Sequence, residues 1–126
     1  MSRIIFRAFC TIAIAASLSG CGTSPNSTVK DFYANLEKGE ITEAKKSLSP
    51  QLYNFLGEQK LTAALAEETD RIGKCGGIKS ITPELETRGE TAVGKTTVEY
   101  KGDCKTKVEK TKLVKEDGSW KITGNK

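Results

Sequence analysis

Apolar residues along this chain change their spacing twice, and each change marks a boundary. From Ala8 to Leu18 apolar and small residues run almost without interruption behind Arg3 and Arg7. From Val29 they return at helical spacing, and from Ile78 onward the helical period gives way to alternation with Thr, Val and Ile enriched. A short apolar run, a helical half and a strand-forming half are therefore expected in that order.

In the helical half, Val29, Phe32, Tyr33 and Leu36 fall at i, i+3, i+4 and i+7, which predicts a helix from Ser27 with one apolar stripe, stopped by Gly39. Thr42 is placed to cap a short second helix that turns Ala44 and Leu48 inward. Ser49 and Pro50 supply an N-cap and a first-turn proline for a third helical stretch. Its apolar face, Leu52, Phe55, Leu56, Leu61, Ala64, Leu65 and Ile72, is broken by one charge, Glu68, and Gly57 should bend or split it. The glycine-rich stretch Gly73–Gly77 ends the helical half.

Four strands are expected after that: Ile78–Thr87, Thr91–Lys101, Cys104–Lys115 and a short one at Trp120–Thr123, with turns at Gly102-Asp103 and Asp117-Gly118. Ala92, Gly94, Thr96, Val98 and Tyr100 share one face of the second strand. A three-residue loop, Lys101 to Asp103, would set Cys104 beside Tyr100 and align Thr106 and Val108 with that face; Leu113 then falls out of phase, implying a bulge. The fold class is α+β: three N-terminal helical segments packed on a curved antiparallel sheet of about four strands.

The run from Ala8 to Leu18 is too short to span a bilayer, which needs about 20 apolar residues, and with its basic start it reads as an export signal. It ends in Leu18-Ser19-Gly20-Cys21, which resembles the lipobox of bacterial lipoproteins. The resemblance implies cleavage between Gly20 and Cys21, lipidation of the Cys21 sulfur, and a mature protein held to a membrane lipid by its first residue. Gly22 after the cysteine resembles the sorting pattern of lipoproteins sent to the outer membrane, facing the periplasm. An ordinary secretory signal cut after Ser19 is the alternative, and it leaves Cys21 as an odd thiol in an oxidising space. The chain divides into a signal peptide (1–20), a short tether (21–27) and one domain (28–126). A tether of that length reaches about 20 Å at most, which keeps the domain near the bilayer.

Charge changes the picture little. Two of the 20 basic residues precede Cys21, leaving 18 against 16 acidic ones, and a net charge of +2 gives no reason to expect nucleic acid as a partner. Histidine is absent, which removes the commonest general base and metal ligand, and neither a metal-ligand cluster nor a phosphate-binding glycine loop is present. No cofactor is expected. With Cys10 lost with the signal and Cys21 lipidated, Cys75 and Cys104 remain. Export makes a structural disulfide the expected state, closing a separation of 29 residues and contributing roughly 3 to 4 kcal/mol. Two reduced, buried thiols are the alternative, and no C-x-x-C redox spacing exists.

The order of elements, together with "VKDFYANLEKGEITEAKKSLSP" (Val29–Pro50) and "KLVKEDGSWKI" (Lys112–Ile122), resembles the nuclear transport factor two-like, or cystatin-like, superfamily and within it a group of lumazine-binding-like bacterial lipoproteins of unknown function. The resemblance implies a cone in which the first helix lies against a concave sheet and a pocket opens between them. Phe32, Tyr33, Leu36, Tyr100 and Trp120 are the candidate pocket residues, with a filled core as the plainer alternative. Asp31 and Glu37 lie off the Phe32 stripe, so an acid-base pair with Tyr33 is not expected, and no carboxylate aligns with the catalytic positions of the superfamily's enzymes. Lys101, Lys105, Lys107, Lys110, Lys112 and Lys115 either attract anionic headgroups or are ordinary solvated strand lysines. The expected function is a non-catalytic, membrane-anchored domain that binds a protein partner or a small apolar ligand; the alternative is a small-molecule-binding or enzymatic cone.

Overall fold

The computed structural model describes residues 24–124, so the expected export segment, the expected cleavage between Gly20 and Cys21 and the expected lipidation of Cys21 lie outside the described residues. Helix α1, Pro25–Lys38, begins at Ser24, whose hydroxyl accepts from the Ser27 amide while the Ser27 hydroxyl accepts from the Ser24 amide, each at 3.0 Å. It starts earlier than the apolar stripe indicates because this serine pair and Pro25, rather than any apolar residue, satisfy its first turn. Pro25, Asn26 and Ser27, expected in the tether, are therefore helical.

Helix α2, Ile41–Lys45, is entered from Glu40, with Ala44 N–H bonded to the Glu40 carbonyl at 3.0 Å. Thr42 lies inside the first turn and does not cap it, because the bend at Gly39 leaves only Glu40 between the two helices. Helix α3, Pro50–Leu56, is capped by the Ser49 hydroxyl as expected. Gly57, at φ 86° and ψ 153°, turns the chain through a conformation open to glycine, so that α3 and α4, Glu58–Lys74, are separate helices.

Strands β1 (Ile78–Arg88), β2 (Thr91–Tyr100), β3 (Lys107–Glu116) and β4 (Ser119–Thr123) form an antiparallel meander in that order. The β3–β4 turn is Asp117-Gly118 with both residues at positive φ, the two-residue type that matches strand twist. At Gly94 a Cβ would stand 2.0 Å from the Glu84 carbonyl oxygen, so the close approach of β1 and β2 requires glycine there. Beyond the sheet, Ser49 N–H donates to the Ile122 carbonyl at 2.8 Å and Ile122 N–H to the Ser47 carbonyl at 2.7 Å, which fastens the α2–α3 junction to β4.

The β2–β3 connection departs from expectation. Cys104 precedes the strand, which starts at Lys107, and Val98 faces Lys107 instead of Thr106. The connection folds back onto the end of α4: Gly102 N–H bonds the Cys75 carbonyl at 2.8 Å, Lys101 N–H bonds the Gly77 carbonyl at 2.9 Å, and Cys75 is joined to Cys104 by a disulfide. A tight three-residue loop is incompatible with those ties. The resulting one-residue slip reverses every side chain of β3. Val108 points outward and is 58% exposed, while Thr111 and Leu113 are buried, and the pairing runs from Thr91 to Val98 without a bulge.

The core lies between the inner face of β2 and β3, with Ala92, Thr96, Val98, Tyr100 and Leu113, and the helices, with Val29, Tyr33 and Leu36 from α1 and Leu61, Leu65 and Ile72 from α4. The expected inward face of the second strand is the observed one.

Candidate functional site

Inward positions follow one another in rows along the concave face. Ala92, Leu113 and Ile122 stand abreast across three strands, followed toward the disulfide by Gly94 beside Thr111, Thr96 beside Glu109 and Val98 beside Lys107. Tyr100 ends the series on β2. The face thus changes from apolar to polar along its length. The boundary is a buried hydroxyl pair, Thr96 Oγ1 and Thr111 Oγ1, 2.8 Å apart.

At the polar end, charges converge from two elements. Arg71 on α4 donates through one guanidinium nitrogen to both oxygens of Glu68, at 2.9 and 2.8 Å, and Lys107 on β3 donates to Glu68 Oε2 at 3.2 Å. Lys107 also stands 3.9 Å from Glu109. Glu68 and Lys107 are mostly covered, with side chains 20% and 24% exposed. Partial burial strengthens such pairs and makes removal of one partner costly. Glu68 also keeps the Arg71 guanidinium firmly protonated.

Two phenols lie beneath these charges. Tyr33 is buried, and its hydroxyl is pushed well above the ordinary tyrosine range, first by burial and then by the negative charges of Glu109 and Glu68. Tyr100 is 6% exposed, and its hydroxyl has no hydrogen-bond partner among the described residues. Tyr100 in turn adds to the upward push on Tyr33 and favours the charged form of Arg71.

Of the five candidate pocket residues, the fold brings Tyr33 and Tyr100 into mutual influence. Phe32 packs edge-on against Tyr33, with ring centroids 5.4 Å apart at 74°. With Val29, Ile122 and Glu109 these two rings border a small opening of about 200 Å³ between α1 and the sheet. Leu36 is core, and Trp120 sits at the apolar end, with the Lys115 ammonium 5.9 Å from its ring. Arg71, Lys107 and Glu109 were not among the candidates. Glu68 as the one charge on an apolar face, with Arg71 three residues on, was a visible signal; Lys107 and Glu109 were hidden by the phase error that favoured Val108.

The lysines of the third strand do not form one patch. Lys107 turns inward, Lys115 lies over Trp120, Lys110 and Lys112 take the outer face, and Lys101 and Lys105 belong to the disulfide loop. Among the described residues no group of three or more acidic or cysteine side chains is arranged to hold a metal ion, and no helix is long and apolar enough to cross a membrane.

Residues 19–123 match a family model described as a domain of unknown function, DUF4878. Among solved structures, the chain is similar to a protein from Campylobacter jejuni described as a candidate NTF2-like transpeptidase, with a TM-score of 0.68 and 21% identity over 82% of this chain and 100% of that one. It is also similar to a candidate ketosteroid isomerase from Shewanella frigidimarina, with a TM-score of 0.53 and 27% identity over 79% of this chain and 90% of that one. A third likeness is to a candidate calcium/calmodulin-dependent protein kinase type II association domain from Thiobacillus denitrificans, with a TM-score of 0.52 and 10% identity over 82% and 92% of the two chains. No curated protein matches the sequence. The helices on a four-stranded antiparallel sheet are the NTF2-like α+β cone.

Proposed function

Because the chain belongs to the DUF4878 family, a family of domains of unknown function, membership brings no activity with it, and we propose a non-catalytic binding domain anchored in the bacterial envelope through lipid on Cys21. The observation that carries the binding role is the state of the concave face. Apolar side chains fill one end, and at the other both inward carboxylates, Glu68 and Glu109, stand beside cations. Glu68 is taken up by Arg71 and Lys107, and Lys107 also stands 3.9 Å from Glu109, so these groups are engaged with one another across the face. The opening of about 200 Å³ is below the usual range for drug-sized ligands, roughly 300–1,000 Å³, which suits one small group better than a large substrate.

The anchor is supported by the sequence Leu18-Ser19-Gly20-Cys21 and by where α1 begins. Only Gly22 and Thr23 separate Cys21 from the Ser24 cap, a span of about 10 Å at full extension, so lipid on Cys21 would hold the amino end of α1 against the headgroups. Two or more acyl chains give stable attachment where one gives marginal binding.

The anchor is tested by growing expressing bacteria with an alkyne-bearing palmitate and fractionating them. Wild type should carry the label and sediment with membranes, and Cys21→Ser should do neither. A soluble, unlabelled wild type with its amino terminus elsewhere would end the proposal.

An enzymatic cone is the second reading, favoured by the likeness at 27% identity to the candidate ketosteroid isomerase. Turnover of a 3-ketosteroid by wild type, lost in Glu68→Gln or Glu109→Gln, would establish it in place of the binding role.

A further inference from the structure

Lys110 and Lys112 occupy a place that neither the core nor the polar end of the concave face explains. On β3 they share parity with Val108, which is 58% exposed, so both side chains rise from the outer face of the sheet. Lys95 on β2 stands directly opposite Lys110, and these three lysines, with Val93, line a hollow of about 610 Å³ on that face. Among the described residues no acidic side chain lines it. The nearest acids along the strands belong to β1, on the side of β2 away from Lys110 and Lys112. Glu86 is paired there with Arg88 at 3.1 Å, and Glu84 stands opposite Lys95.

The same two lysines also border the small opening beside α1, together with Val29 and Thr123. They therefore connect the outer hollow to the amino half of α1. Val29 lies five residues beyond Ser24, about 8 Å along a helix, and Cys21 is at most about 10 Å further. A bilayer that takes up lipid at Cys21 comes within reach of these ammonium groups.

We propose that Lys95, Lys110 and Lys112 form a docking surface for anionic phospholipid headgroups, so that the lipid on Cys21 and this patch hold the domain to the bilayer together. The occupant follows from the sign of the charge and from where the chain leads, since α1 carries the route to Cys21 past these lysines. Each lysine near an anionic surface strengthens attachment about fivefold. The opening beside Val29 then meets the membrane surface. The proposal rests on the anchor given above.

The test uses the chain from Cys21 onward, which holds every described residue. With Cys75 and Cys104 bonded to each other, Cys21 is its one free thiol and accepts a single myristyl chain through a maleimide. One chain binds marginally and reversibly, which leaves the contribution of the lysines readable. Wild type should bind vesicles containing about one-third phosphatidylglycerol at least tenfold more tightly than vesicles of phosphatidylcholine alone, and high salt should remove most of that preference. The triple variant Lys95→Gln/Lys110→Gln/Lys112→Gln should lose it. Lys38→Gln/Lys74→Gln/Lys79→Gln removes the same charge from the ends of α1 and α4 and the start of β1, and should keep it. On the anionic vesicles, amine acylation read by mass spectrometry should find Lys95, Lys110 and Lys112 protected and Lys38, Lys74 and Lys79 open.

Equal binding to the two kinds of vesicle would overturn the proposal, and so would equal losses in the two triple variants, which would leave only net charge at work. Patch lysines protected by single-stranded DNA but not by vesicles would assign the surface to nucleic acid instead. Should the patch variant fail to fold, the protection pattern of wild type decides. Because the chain is attached chemically, a failure here leaves the anchor standing, and a native protein without lipid would end the anchor while leaving this measurement readable.

Discussion

At one end of the concave face Ala92 and Leu113 are fully covered, and Leu48 bridges to Ile122 from outside the sheet. At the other end the same strands carry Lys107 and Glu109, with Glu68 and Arg71 above them and two phenols below. Both ends exclude most water, but by different means. The first relies on shape and apolar area, which tolerates no missing atoms. The second relies on ion pairs whose net contribution is small because each charge gave up hydration to form them. Stability should therefore be concentrated at the Leu113 end, and the capacity to rearrange at the Lys107 end.

The sharpest way to break this contrast is Leu113→Ala. Leu113 has no exposed surface, and truncation should cost about 3 to 5 kcal/mol in urea unfolding. A loss below about 1 kcal/mol would mean that the end collapses freely and is not the packed region described.

A smaller effect is expected from Lys107→Met, which leaves Glu68 with Arg71 alone and should cost about 1 to 2 kcal/mol, while adding Glu68→Leu should recover most of the loss. A double variant weaker than either single one would show that the charges stabilise the fold in their own right.

The smallest effect sharpens the place of Tyr33. Its folded pKa lies above the unfolded value of 10, so above that pH the unfolded chain releases a proton that the folded chain keeps. The contribution is fully present well below pH 10 and declines as pH rises through that value. Relative to Tyr33→Phe, wild type should lose about 0.4 kcal/mol between pH 8 and pH 10, read from urea midpoints at the two pH values. Parallel pH profiles for the two proteins would place the Tyr33 hydroxyl in water.

Legibility differed between the halves for a physical reason. Helix spacing in Val29, Phe32, Tyr33 and Leu36 is redundant, since several positions specify one face, and the α1 stripe follows it. A strand face is specified by parity alone. In the third strand Val108 favoured one parity and Leu113 the other, and local sequence holds nothing to decide between them. The disulfide loop decided it by requiring a long connection, and with that choice Lys107 and Glu109 entered the site. The setting of the buried Tyr100 hydroxyl, which meets no hydrogen-bond partner within reach among the described residues, was beyond sequence reasoning altogether, because hydrogen-bond satisfaction depends on neighbours distant along the chain.

By itself, the sequence determined the α+β order, the helix breaks at Gly39 and Gly57, the Asp117-Gly118 hairpin and the inward face of β2, because each is set by local backbone preference or by a redundant apolar pattern. Only the tertiary structure decided the register of β3, the meeting of Glu68 with Lys107 and the burial of Tyr100 near Arg71 and Tyr33. These depend on where α4 comes to rest against the sheet, and a contact between residues 39 apart, such as Glu68 and Lys107, has no counterpart in short-range spacing.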